Sequence, residues 1–256
     1  TAFLEETFGG NAELIDYVQQ LAGLALLGEV REHVLPLFYG SGANGKGVIL
    51  LVWQMLLGVV DTGGYAQSAP DGFLMTGRES GHPTDIARLR GARLLVASEQ
   101  TGGRRFDEAK VKILTGGDRL TARFLYQRHF TFKPTHKLWL MGNHQPRVDA
   151  GGESFWRRLR LLPFTRTVPK EDRIEGLADQ LLAAEGPAIL GWIIQGAIQA
   201  LSGGLREPEA VLVATKAYAE EEDSLARFLE DRCHIGGGNH VRVDTKDLRS
   251  AYERWC

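Results

Sequence analysis

Cysteine is nearly missing from this chain. Cys233 and Cys256 are its only two among 256 residues, too few for a disulfide framework, and they point to a reducing compartment. Long apolar runs are missing as well: none nears the ~18 residues that span a bilayer, so no membrane partner is expected. The opening Thr1-Ala2-Phe3-Leu4-Glu5-Glu6 has no initiator methionine, basic stretch or signal-peptide core. The expectation is a piece of a longer polypeptide that works in the cytoplasm. Cys233, His234, His240 and Cys256 contain no Cys-x-x-Cys or His-x-x-x-His pair, which speaks against a zinc site. No Ser-His-Asp or Cys-His nucleophile motif, internal repeat or low-complexity tract occurs either.

What is present can build a core, because 43% of residues are hydrophobic and 24% charged. The formal net charge of -2 hides an asymmetry. Residues 88–166 hold 17 lysines and arginines against 6 aspartates and glutamates, leaving an acidic remainder. A local positive field of this kind suits a polyanion, since each cation near a phosphate releases a counterion; a solvated arginine-rich face is the plainer alternative.

Along the chain, Asn11 caps an amphipathic helix ending at Gly28. A short apolar strand, residues 34–39, runs into a glycine-rich turn. A helix over 48–60 follows, with Leu50, Leu51, Met55 and Leu56 inside. Residues 61–81 read mostly as loop, and Pro83 opens a further helix. Buried strands are predicted at 92–98, 136–141 and 159–164. A helix capped by Asp107 breaks at Gly116-Gly117, ahead of a hairpin formed by 120–126 and 130–132. Strands alternating with helices indicate an α/β fold. Beyond Pro169 the pattern turns helical: 173–184, 187–201 and one long charged helix over 209–232, then a strand at 241–243 and a helix over 246–255. Trp53, Trp139, Trp156 and Trp192 sit in apolar surroundings and read as core.

The strongest chemical signal is Gly40-Ser41-Gly42-Ala43-Asn44-Gly45-Lys46-Gly47 followed by Val48, between an apolar strand and an apolar helix. Glycines let backbone N–H groups turn onto phosphate oxygens, the helix N-terminus adds its positive end, and Lys46 reaches the β and γ phosphates. Position 47 departs from the pattern, with Gly where Ser or Thr would ligate Mg²⁺. Leu94-Leu95-Val96-Ala97-Ser98-Glu99 is a strand ending in a carboxylate, placed to polarise water or hold Mg²⁺. Ser98 stands where a second acid is common and could supply the hydroxyl that Gly47 lacks. A third strand ends in Asn143, suited to orient water, though an Asn at a strand end also serves simply as a turn residue.

These elements, with Lys112-Ile113-Leu114-Thr115-Gly116-Gly117-Asp118, Arg123-Phe124-Leu125-Tyr126, Asn143-His144-Gln145-Pro146 and Arg157-Arg158 before Pro163-Phe164, resemble in content and order the superfamily 3 helicases of the phage and plasmid primase family. The resemblance implies an AAA+-like P-loop ATPase with a central, mostly parallel sheet. Its parts would be an N-terminal helical segment (1–30), an ATPase core with a DNA-binding hairpin (31–168), a helical subdomain (169–206) and a partial winged-helix-like region (207–256). It further implies ATP and Mg as cofactors and 3′ to 5′ movement on single-stranded or forked DNA in phage or plasmid replication inside a bacterial host cell. Self-association into a ring, usually a hexamer, and a primase or polymerase region upstream in the same polypeptide belong to the same expectation.

The resemblance also assigns roles. Lys46 and the loop amides of Gly40, Ser41, Gly42, Ala43, Asn44, Gly45, Gly47 and Val48 bind phosphates. Glu99 polarises water and, with Ser98, is a candidate for Mg; Asn143 senses the γ-phosphate. Arg158, with Arg157 as its rival, reaches into a neighbouring subunit as an arginine finger. Lys112, Arg123, Tyr126, Gln127, Arg128, His129 and Lys133 meet DNA; in a hairpin alternate side chains pack inward, which favours the tip residues 127–129 for contact. The alternative is a nucleotide-dependent DNA-binding or loading scaffold that hydrolyses slowly, because Gly47 and Ser98 leave the metal short of ligands.

Overall fold

The computed structural model describes residues 2–77, 83–149, 151–234, 236 and 242–255. In chain order it comprises α1 (Ala2–Thr7), α2 (Ala12–Leu26), β1 (Leu35–Tyr39), α3 (Lys46–Leu57), β2 (Ala66–Ser68), α4 (Pro83–Ala87), β3 (Leu94–Glu99) and α5 (Glu108–Thr115). There follow β4 (Leu120–Ala122), β5 (Phe130–Phe132), β6 (Lys137–Gly142), α6 (Glu153–Trp156), β7 (Leu159–Pro163), α7 (Leu177–Gly203), α8 (Glu209–Glu222), α9 (Ser224–Arg232) and α10 (Thr245–Trp255).

Five strands pair in the order β2-β3-β6-β1-β7, every pair parallel, and β4 and β5 form a separate antiparallel hairpin. The apolar runs of β1, β3, β6 and β7 are buried on both faces, as helices covering a parallel sheet require. Leu35, Leu37, Leu95, Ala97, Leu138 and Leu140 look into one core, shared with α5, the hairpin and Tyr218 of α8. Phe38, Leu94, Val96, Trp139 and Leu162 look into the other, shared with α2, α3 and α7. There Trp53 and Trp139 meet edge to face, ring centroids 4.8 Å apart.

Several elements differ from the sequence reading. β2 lies inside the expected loop 61–81; three residues, Ala66-Gln67-Ser68, carry too little apolar pattern to announce an edge strand. Leu51 and Met55 are exposed, since α3 buries only the Ile49, Leu50, Val52 and Trp53 side. Trp156 and Trp192 are half-buried. The expected helices 173–184 and 187–201 are one helix, α7, with Pro187 inside it. Pro187 and Ala183 are exposed, so the carbonyl left without its N–H partner faces water. Joined in this way, α7 is long and apolar enough to cross a membrane by length and composition, which the split reading concealed. The expected helix 209–232 is two: Asp223 ends α8 and its side chain accepts from Ala226 N–H at 2.9 Å to start α9. Arg242 and Val243 are not in a strand, because no strand among the described residues of this region offers them a partner; Val241, His240 and Cys256 lie outside the described residues. Cys233 has no disulfide partner among the described residues. The Phe228, Tyr252 and Trp255 rings hold α9 to α10.

Layer spacing is tightest where α2 crosses α7. A Cβ on Gly23 would overlap the backbone of Gly196 and Ala197, and one on Gly196 would overlap the Gln19 carbonyl. Gln19 Nε2 donates to the Trp192 carbonyl at 2.7 Å beside the crossing. Gly196→Ala therefore forces the helices apart, and the overpacking costs ~1–3 kcal/mol, read as a Tm several degrees lower. Gly191→Ala, on the same helix with open space around it, leaves Tm unchanged or raises it.

Candidate functional site

Parallel register places the chemistry at one edge. Gly142 at the end of β6 pairs with Tyr39 of β1 on one side and Glu99 of β3 on the other. The glycine-rich loop, the acidic strand end and Asn143 thus leave the sheet together, in the crevice where open α/β sheets hold ligands. A cavity of about 370 Å³ opens there, lined by residues 42–48, Ser98, Gln100, Met141, Gly142 and Asn143.

The loop is shaped by backbone constraint. Gly42 (φ 108°), Ala43 (φ 48°) and Gly45 (φ 84°) all take left-handed conformations. A Cβ on Gly40 would overlap Asn44 and the Phe164 carbonyl. Asn44 Nδ2 donates to that carbonyl at 3.3 Å, and Val168 N–H donates to the Ala43 carbonyl at 2.7 Å, tying the loop to the chain after β7. Lys46, the first residue of α3, is buried; its Nζ donates to the Gly40 carbonyl at 2.6 Å and to Asn44 Oδ1 at 3.0 Å. Burial pushes its pKa down to about 8. The oxygens that hold this cation are both neutral, a backbone carbonyl and an amide.

The metal candidates part company. Ser98 lines the cavity and its Oγ is buried with no hydrogen-bond partner among the described residues, and Gly47 has open space where a longer side chain would stand. One orphaned hydroxyl fits a Mg²⁺ that keeps most of its waters and takes its remaining oxygens from phosphates. Glu99 is buried but absent from the cavity lining: Oε1 accepts from Thr101 N–H at 2.8 Å and Oε2 from Arg104 Nη1 at 3.3 Å. Sequence reasoning missed Arg104. The glycine pair before it, Gly102-Gly103, was its only signal, marking a loop tight enough to fold back on the strand end.

Arg157 and Arg158 differ in the same way. Arg158 is buried, its Nη1 donating to the Ser154 carbonyl and its Nε without a partner, while Arg157 is exposed. Burial, followed by the charge of Arg157, lowers the Arg158 pKa. Neither lines the cavity beside the glycine-rich loop.

The hairpin is short in pairing and long at its tip, because Thr121 and Thr131 form its middle rung and residues 123–129 are all exposed. Tyr126 takes a left-handed backbone (φ 62°) and is 98% exposed, so it joins Arg123, Gln127, Arg128 and His129 on the surface, with Lys133 exposed just beyond β5. Phe132 is core, and Phe124 and Phe130 stack on each other at 5.9 Å. Lys112 lies against Glu108 at 3.8 Å, and Lys137, next to the hairpin in sequence, is buried beside Glu32 at 3.5 Å.

Residues 38–158 match a protein family described as a family of unknown function, DUF5906. A protein of Acanthamoeba polyphaga mimivirus named "Putative helicase" is 30% identical over 94% of this chain and 26% of its own length. One of Frog virus 3 with the same name is 26% identical over 91% of the chain and 25% of its own length. A relative from African swine fever virus, named "Putative primase", is 22% identical over 90% of the chain and 26% of its own. The relatives are helicase- and primase-named proteins of large DNA viruses. The chain spans about a quarter of their length. The apo structure of the NrS-1 C-terminal region shares the fold, with a TM-score of 0.61 at 12% identity, over 98% of this chain and 60% of that one.

A polyphosphate seated on Lys46 favours the ammonium and so raises its pKa above about 8. Below pH 8 the lysine is charged whether free or bound, and affinity does not depend on it. Above that pH, binding must bring in a proton, so affinity falls by up to about tenfold per pH unit. Calorimetric titration with inorganic tripolyphosphate between about pH 7.5 and 9.5 checks this; constant affinity would show that Lys46 does not meet the anion.

Proposed function

We propose that this chain is the ATP-hydrolysing motor region of a DNA helicase that serves the replication of a phage, plasmid or large DNA virus, working as a ring, most simply a hexamer, on single-stranded or forked DNA and moving 3′ to 5′. The observation that carries the reading is the buried Lys46 ammonium, held by the Gly40 carbonyl and Asn44 Oδ1 at the mouth of a cavity framed by the ends of β3 and β6. The helicase- and primase-named relatives and the basic segment 88–166 support DNA as the track and a primase or polymerase region elsewhere in the polypeptide.

In this reading the ammonium exchanges its loop oxygens for the β and γ phosphates, while loop N–H groups hold the remaining oxygens. Magnesium, when bound, neutralises charge on the triphosphate, and Ser98 Oγ is the side chain that would face it. Asn143 orients the attacking water. As the water oxygen bonds to the γ phosphorus, the bond to the bridging oxygen breaks, ADP leaves with that oxygen, and Glu99 takes the water proton. Arg157, exposed and outside its own cavity, is the better placed of the two arginines to stabilise that charge in a neighbouring subunit. At the hairpin, Arg123, Arg128, His129 and Lys133 pair with phosphates and Tyr126 offers a stacking face to bases of any sequence.

A second reading, a nucleotide-dependent DNA-binding scaffold, is favoured by the Glu99 carboxylate turned from the cavity and the absence of a hydroxyl at Gly47. Lys46→Ala tests both. The motor reading expects DNA-stimulated ATP turnover that the substitution abolishes with the fold retained, while the scaffold reading expects nucleotide binding without turnover in either protein. Tyr126→Ala should weaken oligo-dT binding at least about fivefold, since one stacked base is worth ~1–3 kcal/mol; anisotropy titration measures it, and equal affinity removes Tyr126 from the interface.

A further inference from the structure

α7 turns its small residues inward and its large ones outward. Of its six buried residues five are glycine or alanine, Ile193 being the exception, and they include the Gly196 that lies on Gln19 of α2. Away from that crossing Leu190, Ile194, Ile198 and Leu201 are 38%, 43%, 52% and 47% exposed, with Pro187 exposed ahead of them. At about 100° per residue these five fall within an arc of about 80°, one straight stripe about 21 Å long. No residue from Pro187 to Gly203 is charged, in a chain with 24% charged residues, and α7 carries no lysine or arginine. Charge depletion around large apolar side chains marks the core of a protein–protein contact. A helix lying on lipid headgroups instead carries cations on its polar side, and here that side is Gln195, Gln199 and Ser202.

The spacing of the stripe identifies its occupant. Leu190 and Ile198 lie four residues from Ile194 on either side, and Pro187 and Leu201 seven. A stripe with this symmetry is its own complement when a second such helix lies across it antiparallel. Ile194 then meets Ile194, Leu190 meets Ile198 and Pro187 meets Leu201, the last two pairs formed twice, as a two-fold axis requires. We propose that the outer face of α7 docks a second copy of this chain, related by a two-fold axis through Ile194. Ala183, whose carbonyl loses its partner to Pro187, falls opposite position 205, past the end of the second copy's helix, and stays in water. Helix faces of this length bury on the order of 1,000 Å² together, the lower limit for a specific interface, which places the dimer at the weak, micromolar end. The contact is same-to-same, unlike the head-to-tail contact that closes a ring, and it stands whether or not the chain is a motor.

The test is sedimentation velocity of the full chain at micromolar concentrations without nucleotide or DNA, joined to disulfide trapping. The parent should exchange between monomer and dimer. Ile194→Asp sets like charges against each other at the axis and should weaken dimerisation at least about a hundredfold, with Tm close to the parent's because the side chain is half-exposed. Ile113→Asp, at an exposed isoleucine of α5 on the other side of the sheet, should leave the dimer intact. In a Cys233→Ser, Cys256→Ser background, Ile194→Cys should form a disulfide-linked dimer under mild oxidation. Leu190→Cys and Ile198→Cys should each fail alone, since the two copies of either position sit about 12 Å apart along the helices, beyond disulfide reach, and should link when combined in one chain. A parent that stays monomeric, an Ile194→Asp variant that associates as the parent does, or Leu190→Cys linking as readily as Ile194→Cys overturns the two-fold contact. So does a monomeric parent that floats with phosphatidylcholine vesicles, which would give the face to lipid instead.

Discussion

The pairing of Gly142 with Tyr39 on one side and Glu99 on the other is the constraint on which the candidate site rests. It delivers three chain segments of quite different sequence to one edge of the sheet at one height. The buried apolar runs of β1, β3 and β6 fix that register, because a slip by one residue would turn every leucine of one core into the other. A glycine-rich loop is then held by a handful of bonds, with Asn44 reaching Phe164 on one side and Lys46 on the other. The lysine is held by its own loop, and its burial there lowers its pKa to about 8.

Much of this was legible in the sequence because it was written in long apolar runs and in glycine spacing. The four buried strands and the caps Asn11 and Asp107 follow from local pattern, and the structure bears them out, whereas the helix expected over 48–60 begins two residues earlier, at Lys46, and ends at Leu57. What escaped was non-local or short. β2 exists because β3 offers it an edge. α7 passes through Pro187 because that turn faces water. Asp223 ends one helix and begins the next where composition suggested a single charged one. The same limit applies at the site: strand alternation was visible in Leu94 through Glu99, but Arg104, which bonds to Glu99, lies five residues on, in a loop whose fold depends on contacts with Asp71 and Arg147.

The departures at Gly47 and Ser98 belong together. A hydroxyl missing from the first turn of α3 and an acid missing from β3 leave a cavity wall with one unpartnered buried oxygen and open space opposite it. Such a wall is less charged than one carrying an acid at each position, so by itself it attracts a cation only weakly. Arg157 and Arg158 show a comparable division, one side chain turned back onto the preceding helix α6 and the other left for the surface.

The contact between Gly23 and Gly196 has a mechanical side. Where main chain lies on main chain, no side chain is available to change rotamer and absorb a displacement, so α2 and α7 can only shift as one body. α7 also packs against α3, whose first residue is Lys46. This 27-residue helix thus joins the crossing with α2 to the helix that begins at Lys46.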